Sequence, residues 1–165
     1  MKRNPLAVLA LLAFVAFPLA AAPEYPSMGA DIYDTKADAT KQIADALKKA
    51  EVGHRRVLLM FGANWCIWCH RLHATFEHDT VIAMRLGEKF EVVLINVNTR
   101  NGPKRNVDVN ERYGNPIPHG LPVLVVLDAS GKQLTTQDTG ELESGDQHDP
   151  KKVLAFLERW TPKSN

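Results

Sequence analysis

"FGANWCIWCH", residues 61–70, contains both cysteines of this 165-residue chain, Cys66 and Cys69, with His70 directly behind them. Read as C-x-x-C, the stretch is a dithiol that exchanges disulfides. Read as C-x-x-C-H, it is the attachment signature of a c-type haem, with His70 as axial ligand. Cys66, Cys69 and His70 or His73 also supply ligand types for zinc, although a zinc finger places its histidines about a dozen residues beyond its cysteines. A fourth reading is a binding module in which the disulfide only clips a helix end. Closing so short a loop removes little entropy from the unfolded chain.

The flanking segments weigh among these readings. "RVLLMF" (56–61) is a continuous apolar run too short for a core helix, which predicts a strand buried on both faces. "CIWCHRLHATF" follows at once as a helix, with Leu72 and Phe76 four residues apart on one face. The cysteines are therefore wedged between a core strand and its helix. A haem needs an apolar wrapping and a second ligand opposite the first, and this placement leaves no such pocket.

Further out, residues 31–50 carry Ala39, Ile43, Ala46, Leu47 and Ala50 at helical spacing, with Asp34 or Thr35 as N-cap and a stop at Gly53. A short helix capped by Asp79 or Thr80 runs through Val81, Ile82 and Leu86 to Gly87. "FEVVLINV" (90–97) is a second strand, and 98–107 reads as a polar surface loop. "DVNERYGN" forms one or two helical turns capped by Asp108, with Glu111 three residues on. "LPVLVVLD" is a third core strand, turned tightly by "DASGK" into the edge strand "KQLTTQD". Asp149-Pro150 opens a last helix whose apolar face holds Val153, Leu154, Leu157 and Trp160. This order predicts an α/β fold: a central mixed sheet with helices on both faces, parallel in its early pair and antiparallel in its last.

The chain start sets the compartment. Met1-Lys2-Arg3-Asn4 is basic, Leu6 to Leu19 is almost wholly apolar, and Ala20-Ala21-Ala22 is small. That order reads as a secretory signal peptide over residues 1–22, followed by an unstructured lead-in at 23–30 and one domain from 31 to 165. The alternative is an uncleaved anchor, at the lower length limit for a bilayer span and interrupted by Pro18. Without Lys2 and Arg3 the charge balance is 18 basic against 19 acidic residues. Such a balance offers no footprint for nucleic acid or anionic membranes. Two cysteines are also too few for a disulfide-stapled scaffold.

A buried strand, W-C-x-x-C opening a helix, and a later strand entered through x-Pro together resemble the thioredoxin superfamily. The carrying stretches are "VLLMFGANWCIWCH", "EVVLINVN" and "GLPVLVVLDASGK", and the similar element order covers about residues 31–161. Within the superfamily the chain most resembles exported proteins of the thiol:disulfide interchange type. The resemblance implies a thioredoxin fold and thiol–disulfide oxidoreduction on protein substrates, with no bound cofactor. The implied location is the periplasm of a Gram-negative bacterium or the cell exterior. Two departures stand out: Met60 occupies the position of the family's buried acid, and the 98–120 stretch is richer in Pro, Asn and charge than the family connection.

The site residues follow from both lines. A cysteine at a helix N-terminus faces unpaired N–H groups that favour the thiolate, the attacking species. Cys66 is therefore the expected nucleophile and Cys69, one turn deeper, the resolving thiol. Trp65 matches the family tryptophan beside the site. Trp68, between the cysteines, is expected partly exposed, either contacting substrate or covering the helix end. Pro122 corresponds to the family's cis-proline, which implies that Leu121 offers its backbone to an extended substrate. His70 is a candidate modulator of the thiolate, set against a plain half-exposed role; His73 reads as solvated, and His119, just before Leu121-Pro122, either rims the site or is a plain loop residue. With Met60 in place of an acid, the Cys69 proton would pass to water, to His70 or to an acid such as Glu141. The expected direction of electron flow is that of a reductant or isomerase, and a reductant in an oxidising compartment needs a membrane-bound electron-donating reductase as partner.

Overall fold

The computed structural model describes residues 28–100 and 103–163. The expected signal peptide, and the lead-in up to residue 27, lie outside the described residues. Four strands form one mixed sheet: β1 (Arg56–Gly62), β2 (Phe90–Asn96), β3 (Val123–Leu127) and β4 (Gln133–Asp138), in the spatial order β2-β1-β3-β4. β1 runs parallel to β2 through a helical crossover, whereas β1–β3 and β3–β4 are antiparallel. Asp128 makes the last connection tight, its Oδ1 accepting the N–H groups of Ser130 and Lys132.

The central strands read as unbroken apolar runs because both faces are covered. On one face, Leu58, Met60, Leu124 and Val126 pack against α2 (Ile67–His78), α3 (Thr80–Lys89) and α5 (Pro150–Trp160). On the other, Val57, Leu59, Phe61, Val123 and Val125 pack against α1 (Ala39–Val52) and α4 (Val107–Arg112). The two periodicities mesh: alternate strand residues feed opposite faces, and each helix presents one stripe. In α5 that stripe buries Val153, Phe156 and Leu157, with Leu154 and Trp160 half-buried against it.

Helix boundaries differ from the sequence expectation where local hydrogen bonding decides them. α1 starts at Ala39, capped by Asp38, whose carboxylate accepts the Lys41 N–H; Asp34 instead closes a turn on Lys36. α3 passes through Gly87 to Lys89 and runs directly into β2, since the buried Phe90 anchors the strand start. α4 begins after Asn106, held in the left-handed region at φ 51°, rather than being capped by Asp108. The Asn106 amide explains this: it donates to Asn96 O and accepts from Ala39 N, joining the loop to β2 and α1. After β4, a short 3-10 turn (Thr139–Leu142) leads to the two-residue strands β5 (Glu143–Ser144) and β6 (Gln147–His148), a hairpin the sequence did not announce.

Asp79 closes α2 and opens α3, its Oδ1 accepting the N–H groups of Val81 and Ile82 at 3.0 Å each. Asp79→Ala removes that acceptor and should cost about 1 kcal/mol. Urea denaturation should show a lower midpoint with an unchanged slope.

Candidate functional site: a disulfide at a helix start

β1 ends at Gly62, and three residues later the chain turns into α2. Cys66 occupies the N-cap position in an extended conformation, and its Sγ accepts the Cys69 N–H at 3.2 Å. The two cysteines are joined as a disulfide. Cys69, one turn into the helix, is fully buried within the sheet-facing cluster, while Cys66 is 5% exposed and lines the wall of a cleft. The two cysteines therefore differ in access although they belong to one bond.

The cleft has a volume of about 440 Å³ and is walled by Trp65, Ile67, Trp68, Arg100 and Leu121 among others. Ile67 is an exposed apolar residue at its rim. The Arg100 guanidinium lies 4.3 Å from the centre of the Trp65 ring, a cation–π distance. The Leu121 carbonyl oxygen lies 3.5 Å from Cys66 Sγ, so the residue before Pro122 abuts the more accessible sulfur. The Leu121–Pro122 peptide bond is cis. Thus Cys66, Trp65, Trp68 and Leu121 come together around one cleft, and Pro122 sits buried behind Leu121.

The candidate proton carriers are placed differently. The His70 ring is half-buried, with Nε2 2.9 Å from Asn64 O, so among the described residues it hydrogen-bonds to a main-chain carbonyl rather than to either sulfur. His73 pairs with Glu77 at 3.3 Å, one turn along α2. His119 is exposed in a 3-10 turn (Ile117–His119). Glu141 is exposed and accepts from Gln137 Nε2. Met60 is wholly buried beside Cys69 in the same apolar cluster, and among the described residues no carboxylate is buried.

Two further residues border the site without having been singled out in the sequence. Tyr33 is buried next to Cys69, delivered there from before α1 by Asn64. His148, on β6, meets the Trp68 ring edge-on at 5.5 Å, while Arg71 covers that ring at 4.7 Å. Trp68 is consequently half-buried, with His148 backing it. No sequence periodicity marks either residue, because each sits in an irregular segment.

Burial pushes the His148 imidazole down from the ordinary 6.5 to about 4, and the nearby Arg71 charge adds to the effect. Both ring nitrogens lack a hydrogen-bond partner among the described residues.

The geometry agrees with the chain's likenesses. A thioredoxin-like family profile matches residues 38–129. The disulfide bond reductase DsbH of Chlamydia pneumoniae is 27% identical over 97 residues, covering 55% of this chain and 57% of that protein. The thiol:disulfide interchange protein DsbD of Actinobacillus pleuropneumoniae is 29% identical over 91 residues, covering 54% of this chain but 15% of that protein. This chain thus spans little more than half of the first relative's length and a small part of the second's. A solved structure, the disulphide isomerase from Xylella fastidiosa Temecula1, aligns with a TM-score of 0.68 at 33% identity, covering 78% of this chain and 95% of that one.

The His148 environment gives a pH test. The unfolded chain takes up a proton on this imidazole near pH 6.5, and the folded chain only near 4. Its contribution to stability is therefore complete above 6.5 and is lost as the pH falls towards 4, by roughly 3 kcal/mol. His148→Phe should remove that part of the acid sensitivity, measured by urea midpoints across this pH range.

Proposed function

Because this chain belongs to the thioredoxin-like family, we propose that it is a thiol–disulfide oxidoreductase acting on protein substrates, with Cys66 as nucleophile and Cys69 as resolving thiol. The observation that carries the reading is the unequal burial of the disulfide at the start of α2: Cys66 faces the cleft and Cys69 is closed off behind it. In the reduced protein the Cys66 thiolate attacks a substrate disulfide. A Cys66–substrate mixed disulfide forms, and one substrate thiolate leaves. The Cys69 thiolate then attacks Cys66 Sγ, closing the intramolecular disulfide and releasing the second substrate thiolate. Two electrons pass to the substrate, and the protein ends in the disulfide form.

The helix start favours the Cys66 anion, the species that attacks. Trp65, Trp68 and Leu121 form the substrate-facing surface, and Pro122 sets Leu121 in place from behind. In support, three of them wall the cleft, and the Leu121 carbonyl abuts Cys66. An extended peptide laid along Leu121 would bring its own sulfur against Cys66.

The direction we propose is that of a reductant or isomerase. It is supported by the names of the relatives, a disulfide bond reductase and a disulphide isomerase. A reductant in an oxidising compartment must be recharged, and the donor this reading requires is a membrane-bound thiol–disulfide reductase. The basic-apolar-small order of residues 1–22 supports export and a periplasmic location. No helix among the described residues is long and apolar enough to cross a membrane.

Trapping tests the roles. Cys69→Ser should accumulate partner proteins on Cys66, visible as adducts on a non-reducing gel, while Cys66→Ser should capture none. Adducts on Cys66→Ser would reverse the assignment. Adducts on neither would favour the module with a structural disulfide, and a haem absorption band in purified protein would favour the cytochrome reading.

Equilibration with glutathione buffers tests the direction. A potential between about −300 and −180 mV is expected, and one near −120 mV would make the protein an oxidant.

A further inference from the structure

Tyr33 is 2% exposed, and its hydroxyl has no hydrogen-bond partner among the described residues. A buried hydroxyl without a partner is costly, so its location calls for a physical reason. That location is the resolving sulfur. A Cβ built on Gly62 would overlap both the Tyr33 hydroxyl and Cys69 Sγ, which would lie 2.6 Å from it. Hydroxyl and sulfur thus both border the space that a single methyl group would fill, left open because β1 ends in glycine. Gly62 is not needed there for a positive φ; it is needed for room.

The placement is held from both sides. Asn64 Oδ1 accepts the Ile32 and Tyr33 N–H groups at 3.1 and 2.8 Å, and Asn64 Nδ2 donates to Tyr33 O at 2.9 Å. Asn64 lies two residues before Cys66, so the turn that presents the thiols also clamps the tyrosine. Burial raises the phenol well above its ordinary range, so it keeps its proton and can only donate or accept through the neutral form. Met60 offers no polar atom to the same cluster.

We propose that the Tyr33 hydroxyl is the hydrogen-bond donor to the Cys69 thiolate in the reduced protein, raising the population of the form that resolves the mixed disulfide. The inference deepens the oxidoreductase reading and rests on it. When Cys69 gives up its proton to water or to the departing substrate thiolate, the O–H of Tyr33 stays intact and turns toward the sulfur. A charge-assisted bond of this kind is among the stronger ones. When Cys69 attacks Cys66, the negative charge moves to the leaving substrate sulfur and the Tyr33 bond is released. The partnerless hydroxyl of the disulfide form is the remnant of that cycle.

The test is Tyr33→Phe, which keeps the ring and deletes only the oxygen. Reduced protein is mixed with dithionitrobenzoate in a stopped-flow instrument. The first nitrothiobenzoate released reports attack by Cys66, and the second reports resolution by Cys69. A tenfold loss of thiolate would be offset about threefold by the greater nucleophilicity of the freed sulfur, leaving the second phase roughly threefold slower. The first phase should be unchanged. Equal second phases in both proteins, even with a lowered melting temperature in the variant, would make Tyr33 a packing residue and overturn the proposal.

A second measurement needs no variant. The reduced-minus-oxidised infrared spectrum of wild-type protein, with ring-labelled tyrosine for assignment, should show a shifted tyrosine C–O band; an unshifted band also overturns it. Wild-type protein that releases no second nitrothiobenzoate would defeat the oxidoreductase reading, and this inference with it.

Discussion

The hydrogen bond from Cys69 N–H to Cys66 Sγ is where the structure turns from scaffold into chemistry. It exists because a buried strand delivers the chain to the start of a helix within three residues, leaving the first-turn N–H groups to be satisfied by whatever side chain stands at the cap. Here that side chain is a sulfur. The requirement then spreads outward. β1 must be rigid, and it is flanked by β2 and β3 with both faces closed. α2 must not slide, and Leu72 and Phe76 fix it in the sheet-facing cluster. The residue opposite the cap must approach closely, and β3 begins just after Leu121–Pro122 to bring it there.

The parts of this arrangement that were legible in the sequence share one property: their signal is local. Residues 56–61 and 123–127 could be read as buried strands because sheets covered on both faces need unbroken apolar runs. The unequal placement of the two cysteines could be read because C-x-x-C at a helix start sets one at the cap and the other one turn deeper. Trp65, Trp68 and Leu121 were likewise placed by their proximity in sequence to the motif or to Pro122.

What escaped notice is long-range. Tyr33 lies in a polar stretch without periodicity, and the Asn64 amide, 31 positions on, holds it at the site. His148 lies in a two-residue strand, too short for any pattern, yet it is buried against Trp68. The missed boundaries have the same origin. Asp38 displaced Asp34 and Thr35 as the cap of α1, and α4 starts where Asn106 can bridge β2 and α1 at once. Gly87 failed to stop α3 because the adjoining strand held the chain in place, and a glycine propensity of about 1 kcal/mol does not outweigh that packing.

The shared cap at Asp79 has a consequence for how this chain can change over evolutionary time. One residue ends α2 and begins α3, so no connecting segment exists between Cys66 and Leu86 that could absorb an insertion. Adding or deleting a residue there would rotate α3 about its own axis and carry Ile82 and Leu86 off the core. Length variation among descendants is thereby steered to the loop at 98–107 and the tip of the β5–β6 hairpin. The first borders the cleft through Thr99 and Arg100, and the second joins β5 to β6, the strand whose His148 backs Trp68. Selection for new substrates can lengthen or reshape those two segments while the redox pair stays in register.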